Sequence, residues 1–159
     1  MIKIIDYKAG NAPSVLRSVN RLGYQAALAR CPQDLDGAAH IILPGVGSAG
    51  TTMRSLREMN MLAALEEKVL REKVRFLGIC VGMQILFEHS EEEDTQGLGW
   101  LPGRVVKFDT ARLRVPQMGW NRVCFTDGTP EDYFYFVNSF YAIPAHKSDV
   151  WGQIGRAHV

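Results

Sequence analysis

With 159 residues, 47% of them apolar and 22% charged, the chain has the length of one domain and enough apolar material to bury a real core. Eighteen basic against seventeen acidic side chains leave a net charge of +1, which offers no electrostatic footprint for nucleic acid or an anionic membrane and favours small metabolites or a protein partner. Three cysteines with no C-x-x-C pair point to a reducing compartment, most simply the cytoplasm, and away from a disulfide scaffold or a metal site.

The chain opens on an apolar strand, Ile2 to Ile5, rather than a secretory signal, and no uncharged run approaches the roughly 20 residues of a membrane span. A polar turn, Asp6 to Gly10, leads to Asn11, a residue type suited to cap the helix that follows. That helix has Pro13 near its start, Val15, Leu16, Val19 and Leu22 on its inner face, and Gly23 just past its end. Tyr24 to Ala29 reads as a second strand, Cys31 to Gly37 as a connector, and Ala38 to Leu43 as a third strand buried on both faces. Helical patterns cover Met53 to Met59 and Met61 to Lys73. A fourth strand, Val74 to Ile79, precedes apolar residues at helical spacing from Val81 to Phe87. Strand alternating with helix in this way predicts an α/β fold, a doubly wound and mostly parallel sheet with helices on both faces. Glu91 to Asp94 reads as a solvated acidic loop and is assigned no role. From Gly103 onward short alternating runs, Arg104 to Phe108, Val123 to Phe125, Tyr133 to Val137 and Phe140 to Ile143, predict antiparallel ribbons at the edge of that sheet.

The chemistry concentrates at Gly78-Ile79-Cys80-Val81-Gly82, the pattern of a strand turned sharply into a helix with a nucleophile at the corner. So tight a turn brings the positions two before and two after the nucleophile together, where a Cβ would collide with backbone. Cys80 is expected in strained backbone geometry, with its thiol at a helix N-terminus that favours a thiolate. The competing reading is a buried cysteine acting as a small hydrophobe, and Cys31 and Cys124, which have no such setting, keep it.

Pro44 to Gly50 contains G-x-G-x-x-G after a strand, so a dinucleotide site is the first reading to test. It fails, because no acidic residue closes the next strand about 20 positions on. A P-loop fails for want of Gly-Lys-Ser/Thr, and no cofactor is expected. Glycines here can instead turn backbone N–H groups toward an oxyanion beside the nucleophile, the alternative being a plain strand-to-helix turn. A base is harder to find among the four histidines. His89 would stand about 13 Å from Cys80 if both shared one helix, at about 1.5 Å per residue. His40 starts a strand at the opposite edge of the sheet, His146 falls in a loop, and His158 belongs to a suspect tail.

The combination of Pro44 to Gly47, Gly78 to Gln84 (GICVGMQ), Pro116 to Asn121 (PQMGWN) and Tyr135 to Phe140 (YFVNSF) resembles the glutaminase subunits of imidazole glycerol phosphate synthase. These are class I, triad-type glutamine amidotransferases of histidine biosynthesis, and the likeness runs from Met1 to about Ile143. The resemblance implies hydrolysis of glutamine by Cys80 through a glutamyl thioester, with ammonia passed to a (β/α)₈-barrel cyclase subunit. It implies an oxyanion held by the N–H of Val81 and one from Gly45, Val46 or Gly47, substrate held by Gln84 and the backbone around Ser139 and Phe140, and a cyclase-facing surface at Asn11, Ser14, Trp120 and Asn121. That surface is expected to be one side of the domain, near the mouth of the Cys80 cleft. Three positions depart from the family pattern: Lys8 replaces a usual glycine, and Gln117 and Asn138 replace usual histidines.

The larger departure is that nothing matches the family's His-Pro-Glu segment, which supplies the base and its orienting carboxylate. Residues 1–153 are expected to be a truncated amidotransferase domain. Ile154 to Val159 is what one frame of a common sequencing adapter encodes, and is expected to be foreign. On this reading the chain is inactive by itself and poorly soluble, with apolar sheet surface left uncovered. Two other readings stay open: a different Cys-dependent α/β hydrolase, and a catalytically silent subunit that only binds a partner.

Overall fold

A computed structural model describes residues 1–111 and 114–154. Four short strands, β1 (Ile2–Ile5), β2 (Ala26–Ala29), β3 (His40–Leu43) and β4 (Arg75–Gly78), form one parallel sheet in the order β2-β1-β3-β4. Register pairs such as Ile4 with Leu28, Ile4 with Ile42 and Ile42 with Leu77 put these side chains on a common face. On that face α1 (Ala12–Arg21) lays Ala12, Val15, Leu16 and Val19 against Ile4 and Ile42. The other face presents Ile5, Ala29, Ile41 and Leu43 to α2 (Ala49–Glu58) and α3 (Met61–Glu66), whose Met53, Leu56, Met61 and Leu65 are almost fully buried. Helices on both faces of a parallel sheet are the arrangement the alternation predicts.

The remaining strands make two sheets of their own. β5 (Phe87–Ser90), β6 (Thr95–Gln96), β7 (Leu101–Lys107) and β10 (Phe140–Pro144) pair in the order β10-β7-β5-β6, while β8 (Gln117–Phe125), β9 (Asp132–Asn138) and β11 (Gly152–Ile154) pair as β11-β8-β9. β5 and β7 pair in parallel and the other pairings are antiparallel, and neither sheet extends the hydrogen bonding of the first. Of the expected foreign tail only Ile154 is described; it closes β11 opposite Val123 and is buried, and residues 155–159 lie outside the described residues.

Three local expectations change. Asn11 sits at the N-terminus of α1 but in the left-handed region (φ 50°), and its side chain makes no capping bond; its carbonyl accepts from the N–H groups of Ser14 and Val15 instead. The second helix begins at Ala49 rather than Met53, because Ser48 caps it through a bond from the Thr51 N–H. The helix after the elbow, α4, spans only Val81–Gln84. Apolar spacing from Val81 to Phe87 suits a longer helix, but the carbonyls of Ile85, Leu86 and Phe87 accept from the N–H groups of Leu98, Gly99, Trp100 and Leu101. Pairing with a distant segment has overridden the local pattern, and His89 stands on β5, not on a helix shared with Cys80.

One part of the sheet is uncovered. Leu77 is 54% exposed and Ile79 39%, and a groove of about 590 Å³ runs beside Leu77, lined by Met1, Tyr24, His40, Ile42, Arg75 and Leu77 among others.

Candidate active site

Cys80 occupies the corner between β4 and α4 with φ 55° and ψ −117° and is exposed. That backbone conformation is sparsely populated for any residue with a Cβ and costs on the order of 1–3 kcal/mol. Packing around the corner enforces it. A Cβ on Gly78 would meet the Gly82 carbonyl and the Met83 N–H, and one on Gly82 would strike the carbonyl of Leu43 on the neighbouring strand. Both flanking glycines thus have the steric role the motif predicts. The Cys80 carbonyl accepts from Met83 and Gln84 and starts the helix. With four residues α4 carries few aligned peptides, so its dipole offers Cys80 less than the longer predicted helix would.

The glycine turn after β3 lies against this corner. Gly45 is buried, and a Cβ there would fall on the Gly82 nitrogen and within 2.8 Å of the Val81 Cβ. Gly47 has φ 101° and open space around it, and Val46 is 56% exposed. Gly45, which opens the expected oxyanion turn, is therefore a neighbour of Val81, although the strands that lead to the two are 30 or more residues apart in sequence.

The expected substrate residues also converge. Gln84, 7% exposed, donates from Nε2 to the Phe140 carbonyl at 3.3 Å, while Ser139 is pinned by the Phe108 N–H on its carbonyl. Asn138 joins them, donating from Nδ2 to the same Phe140 oxygen at 2.9 Å. Its register partner on β8 is Gln117, and Gln117 Nε2 and Asn138 Oδ1 are both buried without hydrogen-bond partners. The two sequence departures near the substrate loop thus face each other.

Among the described residues no histidine is hydrogen-bonded to Cys80. His40 opens β3 at the far end of the sheet, His89 Nε2 is 2.8 Å from Asp94 Oδ1, and His146 is exposed at the start of a short 3₁₀ turn, Lys147–Asp149. Nor do the described residues contain a cluster of three or more His, Cys, Asp or Glu able to hold a metal ion.

The surface residues separate. Trp120 is 69% exposed and stacks edge-on against Tyr135 at 5.6 Å. Asn121, the next residue on β8, is half-buried with Nδ2 on the Gly119 carbonyl, because successive strand residues leave opposite faces. Trp120 and Asn121 therefore leave opposite faces of β8. Asn11 is exposed, and Ser14 accepts from Arg17 at 2.7 Å.

The acidic loop is solvated at Glu91, Glu93 and Asp94 as expected, but it is not without contacts. Glu91 Oε2 accepts from the Lys107 N–H, Glu92 Oε2 from the Ala49 N–H, and Asp94 is paired with His89. Runs of like charge usually are solvated faces, so only the tertiary contacts could show it.

No described helix is long and apolar enough to cross a membrane. Comparison with known proteins matches residues 3–153 to the family model "Glutamine amidotransferase class-I". The chain is 42% identical over 150 residues to the imidazole glycerol phosphate synthase subunit HisH 1 of Campylobacter jejuni (strain RM1221), covering 89% of this chain and 75% of that protein. It is 44% identical over 155 residues to the HisH subunit of Geobacillus sp. (strain WCH70), covering 90% and 73%. A solved structure described as a glutamine amidotransferase superposes with a TM-score of 0.79 at 20% identity over 97% of this chain and 80% of that one. Two glycines that fit only this elbow, a second glycine turn packed on it and sequence likeness over nearly the whole chain agree that it belongs to the class I glutamine amidotransferases, in the branch of the HisH subunits of imidazole glycerol phosphate synthase.

Proposed function

We propose that this chain carries the nucleophile, oxyanion turn and substrate loop of a glutaminase that feeds ammonia to a (β/α)₈-barrel cyclase in histidine biosynthesis. The observation that carries the reading is the strained, exposed Cys80 held against the Gly45 turn. The Cys80 sulfur attacks the side-chain amide carbon of glutamine. The carbonyl oxygen, now an oxyanion, is met by N–H groups of Val81 and the Gly45 to Gly47 turn. Collapse releases ammonia and leaves a glutamyl thioester, which water hydrolyses to glutamate and the free thiol. Gln84 and the backbone at Ser139 and Phe140 hold the substrate, and no cofactor enters the reaction.

The base that takes the thiol proton and returns it to the leaving ammonia is supplied by a segment outside this sequence, which would also cover Leu77 and the groove beside it. On this reading residues 1–153 are a part of the amidotransferase domain, and the chain alone turns over no glutamine. Asn11, Ser14, Trp120 and Asn121 meet the cyclase, with the exposed Trp120 as an anchor. The protein works in the cytoplasm, where its three free cysteines stay reduced.

The test is Cys80→Ala in a chain extended to include a His-x-Glu segment and paired with its cyclase. Glutamine-dependent synthesis should fall by several powers of ten, whereas synthesis from added ammonia should persist. Retained glutamine hydrolysis would exclude Cys80 as nucleophile. An extended reading frame with no such segment would leave a silent partner-binding subunit as the better account.

A further inference from the structure

We propose that Glu92 is a positioning residue for this site: its carboxylate holds the outgoing end of the oxyanion turn through the backbone of Ala49. The proposal rests on the reading of Gly45 to Gly47 as that turn.

The segment from Pro44 to Ser48 leaves β3 and enters α2, and its two ends are secured differently. At the incoming end Gly45 is wedged against Val81 and Gly82. In the middle Val46 is exposed, and nothing surrounds Gly47 within 4 Å of where a Cβ would stand. At the outgoing end the first N–H groups of α2 have no partners within the helix. Ser48 Oγ takes that of Thr51 at 3.2 Å, and Glu92 Oε2 takes that of Ala49 at 2.8 Å. A carboxylate is the strongest acceptor for such a group.

Glu92 comes from 43 residues away, and its own backbone is anchored on both sides. Its N–H donates to Ser90 Oγ at 3.1 Å, and its carbonyl accepts from Thr95 Oγ1 at 2.7 Å. Ser90 and Thr95 are almost fully buried. Glu93 alongside lies over Gly50 and pairs with Arg54 at 3.7 Å. The polypeptide that follows the nucleophile therefore grips the turn at both ends, first through Val81 and Gly82 and then, after β5, through Glu92. An exposed glycine turn without the second grip would have its N–H groups free to swing away from the oxyanion.

The reaction that isolates this role needs no general base, so the chain itself can be used. The γ-p-nitrophenyl ester of glutamate acylates a thiolate through a tetrahedral oxyanion: the sulfur–carbon bond forms, p-nitrophenolate leaves, and a glutamyl thioester remains on Cys80. Iodoacetamide alkylates the same sulfur by displacing iodide at a saturated carbon, with no oxyanion. Glu92→Ala should slow acylation about tenfold, since displacing oxyanion donors costs rate steeply, while alkylation stays within about twofold. Glu92→Gln, which keeps shape and a neutral acceptor, should fall between, and hydrogen exchange at the Ala49 amide should rise in the same order. Acylation and alkylation falling together, or acylation unchanged in Glu92→Gln with faster exchange at Ala49, would overturn the proposal. Should Glu92→Ala fail to fold, the Gln variant decides. Equal p-nitrophenolate release from Cys80→Ala would instead sink the glutaminase reading itself, whatever Glu92 does.

Discussion

The two halves of the molecule treat apolar side chains in opposite ways. From Met1 to Trp100 the apolar residues gather into two clusters, one on each face of the parallel sheet, and Ile5, Ile41, Leu43, Leu56, Met61 and Leu65 are fully buried. From Gln117 onward Met118, Trp120, Tyr133, Tyr135, Val137 and Trp151 are all more than half exposed. The register pairs Met118 with Val137, Trp120 with Tyr135 and Arg122 with Tyr133 place most of these on one face of the β8-β9 ribbon. The parallel half buries most of its apolar surface, with Leu77 and Ile79 among the exceptions, whereas the ribbon half carries a whole apolar face that the described residues leave open. The first kind of burial makes a fold, and the second is what a partner or a further segment can use.

The largest test of the contrast is a pair of truncations. Leu56→Ala should cost about 3 kcal/mol by leaving a cavity under α2, while Trp120→Ala should cost less than about 0.5 kcal/mol in this chain; urea unfolding of the two variants measures both. A Trp120 variant as damaging as the Leu56 variant would erase the distinction between the halves. Next comes the seam at the elbow. Gly82→Ala drives a Cβ into the Leu43 carbonyl, so a loss of about 2 kcal/mol is expected from overpacking, with the Cys80 thiol changed in its reactivity toward iodoacetamide. A neutral result would mean that β3 and the elbow are less tightly joined than the packing indicates.

A smaller effect of opposite sign should come from Lys8, whose φ of 69° suits the glycine usual in the family. Lys8→Gly should stabilise the chain by about 0.5–1 kcal/mol, and a loss of stability would show that the lysine side chain makes up for its strained backbone. The smallest expected effect concerns acid and the ribbon half. Bonds from Thr129, and then from the Trp151 indole, which donates to Asp127 at 2.6 Å, hold the Asp127 carboxyl down to about 2 from an ordinary 3.8. A carboxylate lowered in the folded state stabilises it above the unfolded value and loses that contribution as pH falls through the folded one. Between pH 4 and pH 2 the Trp151 environment should therefore loosen, visible as a tryptophan emission change that Asp127→Asn removes. An unchanged acid titration in that variant would show that other carboxylates govern the change.

The elbow was readable because its chemistry is local. Gly78, Cys80 and Gly82 lie within five residues, and no other spacing meets the steric demand of so tight a corner. The strand and helix alternation of the first half was legible for the same reason, since each element's apolar period faces one neighbouring layer. Element ends were less so. Val81 to Phe87 has apolar spacing that satisfies a helix, and only the hydrogen bonds from Leu98 to Leu101 convert its second part to β5. Glu92 was invisible because a carboxylate in an acidic run looks solvated until α2 arrives from 43 residues away to use it. Trp120 and Asn121 were assigned to one surface by the family resemblance, which says nothing of strand alternation; on β8 their side chains leave opposite faces.

The sequence by itself therefore determined the chemistry and the class of fold: a cysteine at a glycine-flanked corner, a glycine turn to stand beside it, and alternating elements to bring the two together. Only the tertiary structure decided where α4 ends, which acidic side chain grips α2, and which apolar surfaces stay open. Each of those depends on groups far apart in the chain, and their hydrogen bonds and contacts come into being only when the sheet has brought them within reach.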